Sequence, residues 1–317
     1  KYMWMINFFI TTALGKYKKN SENAFAISLK SRDLYFKIAD EEGIEFDLMK
    51  KGIIHFYSSK KEFEIASSKK EWIEAMGCEW EIIDRDQIFE IEPALKNNRK
   101  IIGGVYTKSD ATGDIHKYCF ELAKVLEKKY GVDFKFSETI NDIKKANKPV
   151  LQTNKNEYVF DDIILCTGVE TERFRRQFGD SFRIYPVKGY SVTVDLDDEK
   201  SRKSAPIVSL LDDPSKLVAS RLGNRLRVAG TAELAGYNKD IRSNRIKPLL
   251  KWINDLFPDV NTKNHLPWTG LRPMSSDMVP IIRESKRKNV YYNSGHGHLG
   301  WTMGTYSGKL AADLIDQ

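Results

Sequence analysis

The sequence is poor in the residues that mark several simple functional classes. It has three cysteines, Cys78, Cys119 and Cys166, far apart and without a C-x-x-C pair. No disulfide framework can be drawn from them, so they read as reduced, structural thiols in a reducing compartment. Five histidines form no metal pattern. His296 and His298 stand two apart with no acidic or cysteine partner nearby, so no metal site is expected. The apolar stretch at the start, "KYMWMINFFITTALGKYKK", is too short to span a bilayer. It lacks a clean small-residue cleavage site, so a packed helix is expected there rather than a signal peptide. Internal repeats and low-complexity tracts are also missing.

What is present describes a folded protein. The chain has 317 residues, enough for one large domain or two ordinary ones with a sizeable core. Hydrophobic residues make up 41% and charged residues 30%, a globular rather than a disordered balance. The net charge of +7 comes largely from scattered lysines, as in "KYKKN", "SSKKE" and "IKKANK". Scattered lysine is a solvated surface, so no nucleic-acid partner is expected. Weak attraction to anionic lipid stays open. The first residue is Lys, not Met, which suggests that something upstream is absent.

The pattern along the chain changes character three times. Residues 1–40 read as a helical segment, with Gly43 as a stop. "GIIHFYSS" and "CEWEIID" read as strands around the helix "KKEFEIASSKKEWIEAMG". "RDQIFEIEPAL" reads as a short helix, and "IIGGVYT" as a strand entering a turn. "GDIHKYCFELAKVLEKKYG" is an amphipathic helix, followed by the strand signals "VDFKFSETINDI" and "EYVFDDIILCTG". The apolar run Ile163–Cys166, ending in Thr-Gly, has the look of a buried parallel strand. From Ile184 to Gly236 the alternation predicts an antiparallel sheet. "IKPLLKWINDLFP" then reads as a helix and "LPWTGLRPMSSDMVPII" as irregular, with three prolines. "NVYYNS" is a last strand and "WTMGTYSGKLAADLIDQ" a last helix. The interleaving predicts domains discontinuous in sequence. The expected division is a substrate domain at 41–104 and 185–271 and an α/β domain at 105–184 and 272–317.

Gly295, Gly297 and Gly300 spell G-x-G-x-x-G between that last strand and helix. A dinucleotide fingerprint needs a second strand and an acidic residue about 20 positions on. Only 17 residues follow Gly300, and Asp313 and Asp316 lie in the helix, so that reading fails. The physics of the turn survives. Glycines allow a close approach of backbone to ligand, and the helix behind offers free N–H groups and a positive dipole end.

The strings "WTGLRPMSSDMVPII", "NVYYNSGHGHLGWTMGTYSGKLAADLI", "YPVKGYSVTV", "SRLGNRLRVAGTAELAGYN" and "DATGD" together resemble the FAD-dependent D-amino acid dehydrogenases, within the D-amino acid oxidase and glycine oxidase superfamily. The resemblance runs over essentially the whole chain, in order. It implies an α/β plus α+β fold: a Rossmann-like FAD-binding domain with an antiparallel-sheet substrate domain. It also implies that the family's own G-x-G-x-x-G unit would stand several tens of residues before residue 1. The FAD-binding domain is therefore expected to be N-terminally incomplete.

By this resemblance the cofactor is FAD. The reaction is oxidative deamination of a D-amino acid to a 2-oxo acid and ammonia, with electrons passed to a quinone-type acceptor. Arg272 would grip the substrate carboxylate. Tyr190, where the substrate sheet begins, would contact the substrate, and Glu233 either faces the substrate amine or stands solvated. Lys188 would lie near the flavin or on the surface. Gly295, His296, Gly297, Gly300, Trp301 and Thr302 match the flavin-contacting loop. His298 stands where the family often has Thr. Ile140, Thr167 and Gly168 match positions beside the adenosine half of FAD. No protein nucleophile or strong base is required. Two alternatives stay open: an oxygen-using glycine or sarcosine oxidase, and an inactive fragment or non-catalytic partner lacking the nucleotide unit. The expected location is cytoplasmic, with a peripheral position on the inner face of the membrane left open.

Overall fold

The alternation through Ile184–Glu233 becomes the centre of an eight-stranded sheet in the computed structural model, which describes residues 2–316. In chain order the elements are α1 (Tyr2–Ala13), α2 (Tyr17–Glu42), β1 (Ile53–Tyr57), α3 (Lys60–Ser67), α4 (Lys70–Glu74), β2 (Glu81–Asp84), α5 (Arg85–Ile91), β3 (Gly103–Thr107) and α6 (Ile115–Tyr130). There follow β4 (Ile140–Lys144), β5 (Val150–Thr153), β6 (Glu157–Val159), β7 (Ile163–Leu165), α7 (Thr171–Phe178), β8 (Ile184–Asp195), α8 (Glu199–Ser204), β9 (Ser209–Asp212), β10 (Leu217–Leu222) and β11 (Arg225–Glu233). The chain closes with α9 (Ser243–Leu256), β12 (His265–Ser275), β13 (Ile281–Glu284), β14 (Val290–Ser294) and α10 (Gly300–Asp313). It divides into two units, the first formed by 1–44, 120–187 and 272–317, the second by 45–119 and 188–271. Residues 105–119 thus go with the second unit, where the sequence pattern had put them with the α/β part. The cause is β3, which pairs with both β1 and β2 and carries the following segment with it.

The second unit is built on the large sheet, in the order β12-β8-β11-β10-β9-β1-β3-β2. Pairing is antiparallel between β8 and β11, β11 and β10, β10 and β9, β1 and β3, and β3 and β2, and parallel between β1 and β9. Side chains alternate across a strand. Val192 and Val194 of β8 stand opposite Val228 and Leu226 of β11, and all four are buried on one side of the sheet. The helix α9 covers that side with Ile246, Leu249, Trp252, Ile253 and Leu256, an apolar stripe at helical spacing. Each such side chain contributes about 1.5–3 kcal/mol on burial. The segment read as irregular is the edge strand β12. Pro267 and Pro273 are tolerated there because an edge strand has a side on which no N–H is needed.

In the first unit, β7 and β14 pair in parallel, from Ile163 with Val290 to Leu165 with Tyr292, and β13 adds to β14 antiparallel. The segment "EYVFDDIILCTG" supplies two strands, β6 and β7, and "VDFKFSETINDI" becomes strand only from Ile140. Below the parallel pair lie Phe174, Ile184 and Ile143. Buried Asp180 accepts hydrogen bonds from Tyr292 Oη at 2.8 Å, Ser285 Oγ at 2.9 Å and the Lys286 amide at 3.1 Å, which fixes the far end of β14. The expected packed helix at the start packs on one side only. Trp4 of α1 is buried and donates from Nε1 to the Met274 carbonyl at 2.8 Å. Tyr2, Met3, Ile6, Phe9 and Ile10 are exposed. Of the cysteines, Cys78 is buried while Cys119 and Cys166 reach the surface, so a structural-thiol role suits only the first.

The helix α2 lies against α10. Ser31, fully buried, accepts at its carbonyl from Thr305 Oγ1 and at its hydroxyl from the Tyr306 amide. A Cβ on Gly304 would stand 2.5 Å from the Tyr35 hydroxyl. Gly304→Val is therefore expected to cost about 1–3 kcal/mol. A calorimetric scan should show this as a lower unfolding midpoint.

Candidate functional site

The strands β7 and β14 run in the same direction, so their carboxyl ends open on one edge of the sheet, the edge where ligands sit in α/β folds. The sequence places Thr167–Gly168 at the end of one strand and Gly295–Gly300 at the end of the other. A chain of hydroxyls ties the two together. Thr171 Oγ1 is 2.9 Å from Thr167 Oγ1 and donates to Ser294 Oγ at 2.9 Å, and Ser294 Oγ lies 3.2 Å from the Gly168 carbonyl. Gly168 has φ +56°, and a Cβ there would meet nothing within 4 Å, so open space lies over this turn. Six of the nine residues expected at the cofactor thus frame one edge: Thr167, Gly168, Gly295, His296, Gly297 and Gly300. Thr302 is exposed in the first turn of α10 behind them. Ile140 opens β4 in another sheet, and its carbonyl is occupied by Arg173 Nη2 at 2.7 Å. Trp301 turns away to pack, its ring 4.2 Å from that of Tyr35.

The loop itself is held by backbone. Gly295 and Gly297 have φ +79° and +60°, a region that side-chain-bearing residues avoid. The Gly297 amide donates to the Pro273 carbonyl at 2.9 Å, and His296 bridges Met274, so the loop is clipped to the end of β12. Then Leu299 caps α10 without a side-chain hydrogen bond. The Met303 amide is the first to close on the helix, onto the Leu299 carbonyl. The amides at the start of the helix therefore face outward as an anion-favouring end.

His296 anchors this loop through its side chain. Ser307 Oγ donates to the Gly304 carbonyl at 2.9 Å, so the imidazole Nε2–H donates to Ser307 Oγ at 2.9 Å. Burial lowers its pKa to about 4 from the ordinary 6.5. The unfolded chain therefore binds a proton between those values that the native protein refuses. The stabilising contribution is complete above pH 6.5 and is lost as pH falls toward 4. Every pH step of one between the two values adds about 1.4 kcal/mol to that contribution. In unfolding experiments at stepped pH, His296→Gln is expected to flatten the acid limb of the stability curve. An unchanged slope would show that the ring titrates normally in the native state.

Arg272 and His298 come near one another beside this loop. Burial lowers the Arg272 pKa, and the His298 imidazole is lowered first by desolvation and then by the positive Arg272. At neutral pH the pair therefore carries one positive charge, on the guanidinium. His298 is the residue that sequence reasoning had set aside. Its partner is 26 positions earlier, a proximity that the loop geometry alone creates.

In the second unit, Tyr190, Glu233 and Lys188 form one polar knot. Tyr190 Oη donates to Glu233 Oε2 at 2.8 Å, and Arg242 Nη1 to Glu233 Oε1 at 2.7 Å. The Tyr190 hydrogen bond is the main cause that holds the Glu233 carboxyl below the usual range. Lys188 is fully buried, neither surface nor free. Its ammonium donates to Asn238 Oδ1 at 3.0 Å and to the Asp240 carbonyl, 5.0 Å from the centre of the Tyr190 ring. The bulge between Gly230 and Glu233, with Thr231 at φ +67°, turns the end of β11 into this knot. Glu233→Leu would leave Tyr190 and Arg242 without their acceptor. A lower unfolding midpoint is expected, read by denaturant unfolding.

The residues around the loop fit a flavin. Open space over Gly168, outward amides at α10 and one cationic side chain are what an electron-rich ring edge and a phosphate-bearing chain require. Among the described residues no cluster of His, Cys, Asp and Glu could hold a metal ion. Ser294 and Thr171 went unnoticed in the sequence because they lie 123 positions apart.

Residues 9–314 match the family described as "DAO: FAD dependent oxidoreductase". "D-amino acid dehydrogenase 3" of Mesorhizobium japonicum is 41% identical over 99% of this chain and 76% of its own length. "D-amino acid dehydrogenase" of Granulibacter bethesdensis is 33% identical over 99% of this chain and 75% of its own. Among solved structures, glycine oxidase from Geobacillus kaustophilus superposes with TM-score 0.81 at 22% identity, covering 92% of this chain and 78% of that one. L-proline dehydrogenase from P. horikoshii gives TM-score 0.81 at 18% identity over 93% and 79%.

Proposed function

Because this chain belongs to the DAO family of FAD-dependent oxidoreductases, we propose that it oxidises D-amino acids to 2-oxo acids and ammonia and delivers the electrons to a quinone-class acceptor. The observation that carries this reading is the Arg272 guanidinium, half-buried on β12 beside the Gly-rich loop. Its planar fork grips a carboxylate through two parallel hydrogen bonds and so fixes the orientation of the α-carbon. FAD, when bound, supplies the acceptor for the hydride. His298, neutral beside the clamp, offers a hydrogen bond without a second positive charge. The amides of the loop and of the first turn of α10 favour negative charge at the cofactor's edge. The second unit serves as the substrate domain, and the first contributes the rest of the FAD-binding domain.

Support for a D-amino acid substrate comes from the relatives' names, and support for an acceptor other than oxygen from their being dehydrogenases. The test is turnover of a D-amino acid with a soluble quinone, followed by an assay for hydrogen peroxide in air. Quinone reduction without peroxide is expected. Peroxide in stoichiometric yield, with no quinone reduction, would mean an oxidase.

A quinone-class acceptor places the protein at a membrane surface. No helix among the described residues is long and apolar enough to cross one. The exposed Tyr2, Met3, Ile6, Phe9 and Ile10 of α1, followed by Lys16, Lys18 and Lys19, fit shallow attachment to anionic lipid on the cytoplasmic side. Co-sedimentation with anionic vesicles is expected, and Phe9→Glu combined with Ile10→Glu should abolish it. Equal sedimentation of that double variant would dismiss this attachment.

A further inference from the structure

The bridge between Met274 and His296 is antiparallel, and the Gly297 amide bonds the Pro273 carbonyl at 2.9 Å. A step forward along the loop is a step back along β12, so the next pair in this register is His298 with Arg272. Residues set opposite one another in this way carry side chains that meet. The imidazole accordingly feels the positive charge of the guanidinium. Both residues belong to the first unit.

His298 has no other engagement. Among the described residues its ring makes no hydrogen bond and no ion pair, and the residue reaches the surface. His296, two positions earlier in the same loop, is the opposite case, tied through Nε2 to Ser307. On α10, Lys309 is tied to Asp313, which leaves Arg272 of β12 as the charge that acts on His298. A neutral imidazole with an open lone pair thus stands beside the clamp, and gripping a carboxylate gives it nothing to do.

We propose that His298 takes the proton from the ammonium group of an amino acid whose carboxylate is held by Arg272. This rests on the reading of Arg272 as the carboxylate clamp. An amino acid in water carries its nitrogen as ammonium, which has no lone pair. A hydride cannot leave the α-carbon until the nitrogen has a pair with which to form the C=N bond. In the proposed step one ammonium N–H bond breaks, its electrons stay on nitrogen, and the proton bonds to the open imidazole nitrogen. The amine lone pair becomes the second C=N bond as the hydride leaves to the flavin, and water hydrolyses the iminium to the 2-oxo acid and ammonia.

Binding itself prepares this base. The substrate carboxylate cancels the Arg272 charge, and with it part of what holds the imidazole low. The imidazole is therefore most basic while an amino acid is clamped. When the carboxylate departs, the charge on Arg272 is bare again and the proton returns to water at the surface.

The test is the pH profile of kcat/KM on the FAD-loaded enzyme with its fastest D-amino acid, joined to NMR titration of His298 with propionate as a carboxylate that cannot be oxidised. His298→Ala is expected to lose about 100-fold at about pH 7 and progressively less toward about pH 10, where more of the substrate arrives as free amine. His298→Gln keeps a hydrogen-bonding side chain without a titrating nitrogen and should give the same profile. Added imidazole should restore part of the His298→Ala rate, which a purely structural role would not allow. Propionate should raise the His298 pKa in wild type and leave it unmoved in Arg272→Ala. A His298→Ala loss that is equal at every pH and untouched by imidazole, or wild-type kinetics in that variant, would overturn the proposal. The propionate arm needs no turnover and so separates the readings. D-amino acid turnover with a pH-independent His298→Ala loss sinks the proton acceptor alone. An Arg272-dependent propionate shift with no D-amino acid oxidised sinks the oxidation reading, and the proton transfer with it.

Discussion

Arg272→Ala is expected to lower kcat/KM for every amino-acid substrate by well over tenfold. A bidentate clamp makes two charge-assisted hydrogen bonds, each contributing about 1.5–3 kcal/mol. Both are lost at once, and the oriented carboxylate with them. KM should rise because the ground state loses its anchor, and kcat should fall because the α-carbon is no longer held in line. Arg272→Lys restores charge without the planar fork and should recover only part of the loss. The variant has a second reporter. His298 is held low partly by the Arg272 charge, so in Arg272→Ala its pKa should rise toward the ordinary value. NMR titration of the imidazole reads that directly. Kinetics within twofold of wild type, with His298 unmoved, would remove Arg272 from the site.

The second large effect is expected at Gly297. Its φ of +60° costs a residue with a side chain about 1–2 kcal/mol. A Cβ would also stand 2.6 Å from Met274 Sδ. Met274 is buried against Trp4, Tyr185 and Val187, so the displacement passes into a packed cluster. Gly297→Val should therefore lose the clip between its amide and the Pro273 carbonyl, lower the unfolding midpoint and release flavin on dialysis. Gly308→Ala is the matched control. It is exposed in α10 with nothing within 4 Å of its Cβ direction, and it should stabilise by up to about 1 kcal/mol. Retained flavin in Gly297→Val would mean that the loop plays no part in holding the cofactor.

The parts of this fold that were legible in the sequence are those written by local periodicity. The alternation of β11 is legible because one side of the strand is buried and the other is not, whereas β8 is buried on both faces over most of its length. The apolar run Ile163–Leu165 reads as a parallel strand because it is apolar throughout, although only Ile163 and Leu165 are buried and Ile164 is exposed. The stripe of α9 and the glycines of the terminal loop are equally local. Edge strand β12 was hidden by its prolines, which in a central strand would be decisive against pairing and at an edge are not. The start of β4 was misplaced because the aromatic "VDFKF" carries strand propensity but finds no partner there. In the site, Arg272 was readable from its motif, and its neighbour His298 was not, because a loop brings them together. The Lys188–Tyr190–Glu233 knot was equally unreadable. Each residue is ordinary alone, and a bulge with Thr231 in the left-handed region brings Glu233 to Tyr190.

The central claim is that this protein, with FAD bound at the edge framed by Thr167–Gly168 and Gly295–Gly300, oxidises D-amino acids held by Arg272. Anaerobic reduction of the bound flavin tests it most directly. A panel of D-amino acids is added to the FAD-loaded protein without any external acceptor, and the visible flavin band is followed. D-amino acids are expected to bleach the band, their L-enantiomers to leave it intact, and a 2-oxo acid and ammonia to appear in proportion. A band that no D-amino acid bleaches, or that D- and L-enantiomers bleach alike, would contradict it.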